Sequence, residues 1–185
     1  MSTVALTKEQ YTEIIQGICN GIGGKEKNIP IATALQIEAN TGIRIGDVLN
    51  LKRGDIVRDG NRYRFDIKES KTKKARTFTV PDPVYRMIES YCDSHGIEYG
   101  QKLFHFGVRN VQKRLESITD FLGYKNICTH SFRKYFATKA YLNSGNDIEL
   151  VSRLLQHSNS SITRRYIGIQ DERMENVLQS SVSLI

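Results

Sequence analysis

Apolar residues recur first at helical spacing. Thr7, followed by Glu9 and Gln10, marks a helix start, and Tyr11, Ile14, Ile15 and Ile18 then share one face until the glycines of GIGGKEK end the pattern. After Pro30, Ile31, Ala34, Leu35 and Ile37 make a second apolar face, closed by Asn40 and Gly42. Ile45, Val48, Leu49 and Leu51 predict a further short helix. The period then falls to two in Asp55-Ile56-Val57, in Arg62 to Ile67 and in Thr77 to Val80, separated by Asp59-Gly60-Asn61 and by the lysine-rich SKTKKA. This pattern predicts a small three-stranded antiparallel β-sheet. Beyond Pro81 and Pro83 the helical period returns over roughly 84–95, 107–121, 131–143 and 147–155, in a short helix holding Tyr166, and in a last segment from about 171. The expected fold class is therefore mainly α with one small β meander.

Length and composition narrow this picture. At 185 residues, 39% of them hydrophobic, the chain suits one domain over 1–185 with one sizeable core. No glycine- or proline-rich linker divides it. The first residue is a methionine, which fits a complete short protein and equally the C-terminal part of a longer one. The N-terminus lacks the basic start and apolar run of a signal peptide, and no stretch approaches the ~18 apolar residues that span a bilayer, so a soluble, cytoplasmic protein is expected with no membrane partner. Cys19, Cys92 and Cys128 are far apart and form no CxxC or CxxH spacing. They read as core thiols in a reducing compartment. The net charge of +7 and pI near 9.3 are compatible with binding a phosphate backbone without requiring it.

The segment 127–168, ICTHSFRKYFATKAYLNSGNDIELVSRLLQHSNSSITRRYIG, carries the densest candidate chemistry. Thr129 reads as the N-cap of a helix whose first turns place His130 and Arg133 on one face. Alone, HxxR is more simply a solvated basic face. His157, where a helix ends at Gln156-His157, could be there only for the helix dipole. Tyr166, one of nine tyrosines, could simply anchor a surface helix by its ring. The functional reading gains weight from Arg44 in NTGIRIGDVLNL and Lys71 in ESKTKKART, which precede these residues in order.

TGIRIGDVLNLKRGDI resembles the TGLRxSELxxLxxxDI box of tyrosine recombinases, the phage integrase family. THSFRKYFATKAYLNSG and LLQHSNSSITRRYIG resemble that family's HxLRHxxAT and LGHxxxxTTxxYxH boxes, and the match extends from about residue 30 to 170. The resemblance implies the tyrosine recombinase catalytic-domain fold. It also implies that Arg44 and Arg133 are the catalytic arginines, His130 and His157 the histidine-type positions, Lys71 the hairpin lysine, Tyr166 the nucleophile and Asp47 the acidic support of Arg44. Lys134 stands where many members have histidine, Gln156 where glycine is commonest, and Gly168 where a histidine often follows the tyrosine. None of these departures removes a group the chemistry requires. The hairpin is about two residues longer than usual, so Lys73 remains an alternative to Lys71.

These residue types suit phosphoryl transfer. With the roles that the resemblance implies, two guanidinium groups would meet the non-bridging oxygens of a five-coordinate phosphorus, His130 would assist removal of the phenol proton, and Lys71 would protonate the departing 5′ oxygen. The 3′-phosphotyrosyl product conserves the bond energy, so strand exchange needs neither ATP nor metal, and the chain has no GxxxxGK[ST] motif. No cofactor is expected. Lys73, Lys74, Arg76, Arg109, Lys113, Arg164 and Arg165 are candidate DNA-backbone contacts, and double-stranded DNA and self-association on it are the expected partners. Three competing readings are a DNA-binding regulator that cuts nothing, a type IB topoisomerase-like enzyme and an unrelated helical interaction module with a basic face. The tail after about 171 has Met174, Val177, Leu178 and Val182 at roughly helical spacing. It either caps its own domain or docks on a neighbouring protomer.

Overall fold

The computed structural model describes residues 3–68, 75–168 and 177–182. Helix α1 (Lys8–Asn20) opens with a full capping box: Thr7 Oγ1 accepts the Gln10 amide at 3.2 Å, and Gln10 Oε1 accepts the Thr7 amide at 3.0 Å. Helix α2 (Ile29–Thr41) starts where Asn28 Oδ1 accepts the Ile31 amide and stops at Gly42, whose φ of 64° lies in the left-handed region. Both ends match the sequence expectation, because a cap is decided by residues within a turn of it.

The next element is shorter than the periodicity predicts. Helix α3 is only Ile45–Val48, and the chain leaves it through Leu49 and Asn50, so that Leu51 accepts from Leu103 in an extended segment. Leu51 is buried all the same, at 1% exposure, which is why it fits an apolar spacing that its backbone does not follow. A 3₁₀ turn (Arg53–Asp55) then leads into the sheet β1-β2-β3, formed by Ile56–Asp59, Arg62–Lys68 and Ala75–Val80 in antiparallel register. Phe65, on the central strand, turns fully into the core. Arg53 clamps the sheet entrance to helix α4 (Asp82–Ser94) through Glu89 at 2.6 Å, Asp93 at 2.7 Å and the Ile97 carbonyl at 2.8 Å. This cation is occupied in holding the fold together.

Helix α5 (Val108–Phe121) packs on α1 and α6, and helix α6 (Thr129–Asn143) packs along α2. The start of α6 corrects one expectation. Cys128, not Thr129, stands at the cap, its amide bonded to Ser131 Oγ, while Thr129 is in the first turn and buried. One core runs through α1 to α6 and the sheet, with Phe65, Phe132, Ile14, Ile18, Leu35 and Leu115 at its centre. A second, small cluster of Ala137, Val151 and Leu155 seats helices α7 (Ile148–Leu155) and α8 (Ser160–Ile167) on the far half of α6. Tyr166 packs into this satellite cluster. The tail expected to be helical from about 171 is described only over 177–182, helical at 177–180. Among the described residues no helix is long and apolar enough to cross a membrane.

Candidate active site

Arg133 organises the site. It lies one turn into α6 and is 3% exposed, and its guanidinium donates from Nη1 to the Gly42 carbonyl and from Nη2 to the Leu155 carbonyl at 2.8 Å. One side chain therefore ties the turn after α2 to the end of α7. Gly42 is two residues before Arg44, and Leu155 two before His157, so this clamp joins the two turns that carry them. Arg44 occupies the N-cap of α3 with extended backbone (φ −67°, ψ 141°), and Asp47, buried one turn on, donates its amide to the Arg44 carbonyl at 2.8 Å.

Gly42 is required twice over. Its positive φ disfavours any side chain, and a Cβ there would stand 2.4 Å from Cδ1 of Phe136. Gly42→Ala is expected to destabilise the fold by roughly 1–3 kcal/mol and to displace the carbonyl that Arg133 grips. Urea unfolding checks the first effect; an unchanged midpoint would contradict the close fit.

His157 follows the left-handed C-cap Gln156 (φ 53°), a role glycine fills more readily. Its Nδ1 lies 2.8 Å from Thr163 Oγ1, a fully buried hydroxyl on α8, so the loop and the helix that bears Tyr166 are joined by that contact. The His157 and Tyr166 rings meet edge to face at 5.4 Å. The half-buried phenol of Tyr166 donates to the backbone carbonyl of His130 at 3.4 Å. Burial pushes its pKa up to about 12, although the nearby Arg133 guanidinium pulls the other way.

His130 is exposed, and its backbone carbonyl is the group that accepts from the phenol. The neighbouring His130 draws the Cys128 thiol pKa down to about 7 against the effect of burial, aided by Thr3 Oγ1 at 3.6 Å from the sulfur. Lys134 donates to the Thr3 carbonyl and holds its ammonium 5.4 Å from the Tyr166 ring centre. Lys71, Lys73 and Lys74 lie outside the described residues, as does the Arg76 side chain. Arg109 and Lys113 are exposed on α5, where Lys113 borders a shallow groove with Lys25, Asn28 and Arg114; Arg164 and Arg165 occupy the last turn of α8.

Sequence reasoning missed Thr163, Cys128 and, above all, Glu38. The last had a visible signal: in IPIATALQIEANT a glutamate falls seven residues after Ile31 and three after Leu35, on the apolar face of α2. Thr163 and Cys128 had none, since neither differs from a surface hydroxyl or a core thiol until the chain folds.

The chain is similar to known proteins in sequence and in fold. The chain is 33% identical over 138 residues to the probable integrase/recombinase YoeC of Bacillus subtilis, covering 72% of this chain and 74% of YoeC. It is 28% identical over 159 residues to tyrosine recombinase XerC of Bradyrhizobium diazoefficiens, covering 81% of this chain and 49% of XerC, so it spans about half the length of that relative. Among solved structures, XerH site-specific recombinase bound to palindromic difH substrate superposes with a TM-score of 0.70 at 21% identity, over 96% of this chain and 53% of XerH. The catalytic domain of bacteriophage HP1 integrase superposes with a TM-score of 0.65 at 18% identity, over 97% and 96% of the two chains. The fold is that of tyrosine recombinase catalytic domains. The pattern that defines the phage integrase family matches residues 5–173, and the chain belongs to that family.

Proposed function

We propose that this chain is the catalytic domain of a site-specific DNA recombinase that cleaves and rejoins strands through a 3′-phosphotyrosyl bond. The observation that carries the reading is the double anchorage of Arg133, on Gly42 and Leu155, which gathers the Arg44 turn, the His157 loop and the Tyr166 phenol around one guanidinium. A buried guanidinium fixed beside a tyrosine suits a reaction that develops charge on phosphate oxygens. The phenol oxygen of Tyr166 attacks the scissile phosphorus as the bond to the 5′ oxygen breaks. Arg44 and Arg133 hold the non-bridging oxygens, and His157 binds one of them. His130 assists loss of the phenol proton, and Lys71, or Lys73 in its place, supplies a proton to the leaving 5′ oxygen. A phenol held near 12 needs this help. The phenol meets the His130 backbone carbonyl at 3.4 Å, and substrate commonly tightens such loose contacts into the catalytic ones. Rejoining reverses the steps on a second 5′ end and consumes no ATP, metal or cofactor.

Lys73, Lys74, Arg76, Arg109, Lys113, Arg164 and Arg165 would contact the phosphate backbone of double-stranded DNA, and the domain would work in the cytoplasm, self-associated on its site. In the tail, Val177, Leu178 and Val182 are exposed, which favours docking on a neighbouring protomer over capping its own domain. The test is covalent capture. Nicked duplexes with a randomised core, which lose the 5′ fragment after cleavage, are incubated with the chain, and detergent-resistant adducts are sequenced. Adducts enriched for one inverted-repeat site are expected, and truncation after Asp171 is expected to lower adduct yield and assembly together. Absence of any adduct would leave DNA binding without strand transfer.

A further inference from the structure

Helix α2 is buried along most of its length, and Glu38 within it is 1% exposed. A carboxyl group placed there is costly unless its polar atoms find partners, and a residue needed only to fill the apolar face would be aliphatic, as Ile31 and Leu35 are. Glu38 Oε1 accepts the Ile45 amide at 3.0 Å, while its backbone carbonyl accepts the Gly42 amide at 2.9 Å. One residue thus fastens both ends of the Gly42–Ile45 turn. Arg44 sits inside that turn, at an N-cap whose own side chain makes no capping bond. From the other side Arg133 holds the Gly42 carbonyl, and its charge acts on the Glu38 carboxyl. Glu38 Oε2 is buried with no hydrogen-bond partner among the described residues, an oxygen that packing alone does not call for.

We propose that Glu38 is a positioning residue for phosphoryl transfer, its carboxyl holding the Gly42–Ile45 turn so that Arg44 and Arg133 meet one phosphate together. This rests on the strand-transfer reading above and adds a residue to it. Burial holds the carboxyl well above the usual carboxylate range, against the pull of the Ile45 amide and Arg133. Burial disfavours a charge there that would compete with phosphate for Arg133. An uncharged amide keeps the oxygen that accepts from Ile45, and an aliphatic side chain does not.

The experiment compares Glu38→Gln and Glu38→Leu in the full chain. Leucine removes a buried acid, so Glu38→Leu is expected to unfold within a few degrees of the parent, yet to form adduct on the captured duplex roughly a hundredfold more slowly at unchanged DNA affinity. Glu38→Gln is expected to stay within about threefold of the parent rate, as the retained acceptor requires. A role in packing alone would move stability and leave the ratio of cleavage to binding intact; a parental cleavage rate in Glu38→Leu overturns the proposal. Sulfate supplies a readout independent of cleavage, followed by the Nε–H nuclear resonances of Arg44 and Arg133. Both are expected to shift together in the parent and in Glu38→Gln, and no longer together in Glu38→Leu. If the parent forms no adduct while this sulfate pattern holds, the strand-transfer reading fails and the positioning role stands. A joint shift that survives in Glu38→Leu, or is missing from the parent, overturns the positioning role.

Discussion

Tyr166→Phe is expected to abolish covalent attachment to DNA while leaving the fold and DNA affinity essentially as they were. The ring of Tyr166 packs beside Ala137, Val151 and Leu155, meets His157 edge to face and lies under the Lys134 ammonium. Phenylalanine keeps all of these contacts. What it loses is one oxygen that lies near the Arg133 guanidinium and whose hydrogen bond to the His130 carbonyl is long, at 3.4 Å. Such a bond contributes about 1 kcal/mol or less, so the urea midpoint should hardly move. The chemistry, by contrast, loses its nucleophile. Residual adduct at the parental rate would identify another attacking residue and remove Tyr166 from the mechanism. Adduct yield on denaturing gels and the urea midpoint, measured on the same preparation, separate the two effects.

Arg133→Ala should behave differently, failing in both measurements. The guanidinium is charged, buried and bonded to two main-chain carbonyls, so truncation leaves Gly42 and Leu155 with unsatisfied oxygens and a cavity between α2, α6 and α7. Loss of such charge-assisted bonds costs about 3 kcal/mol of stability. Removing a preorganised donor from the developing phosphorane lowers the cleavage rate by roughly a hundred- to a thousandfold. Arg133→Lys is expected to recover part of the stability and little of the rate. A compact ammonium does not span two carbonyls and a phosphate as a planar fork does. If Arg133→Lys cleaves at the parental rate, the guanidinium geometry does not matter and the clamp is structural only.

These two substitutions also mark where reading the chain succeeds and where it stops. The Thr7 capping box, the left-handed stop at Gly42, the β meander and the succession of helices after Pro81 are each set by residues a few positions apart. Hydrophobic period and cap chemistry therefore display them directly. The same locality explains the misreading after Arg44: Leu51 is buried three residues after Val48, a helical interval, and burial, not helix, is what the interval recorded. The order Arg44, His130, Arg133, His157 and Tyr166 is likewise visible in the chain. Its geometry is not.

The bonds that make the site are long-range, and tertiary packing alone decided them. Arg133 reaches Gly42 across 91 residues and Leu155 across 22, and Tyr166 reaches the His130 carbonyl across 36. No local preference encodes such pairs. They form because the apolar faces of α2, α6 and α7 bury against one another and bring charged and polar groups into a space with little water, where an unpaired group is costly. By itself the amino-acid sequence determined the elements, their order and the residue types available for chemistry. Only the folded chain decided that the Tyr166 phenol meets the His130 carbonyl, that Thr163 holds His157, and that a glutamate on an apolar helix face fastens the turn bearing Arg44.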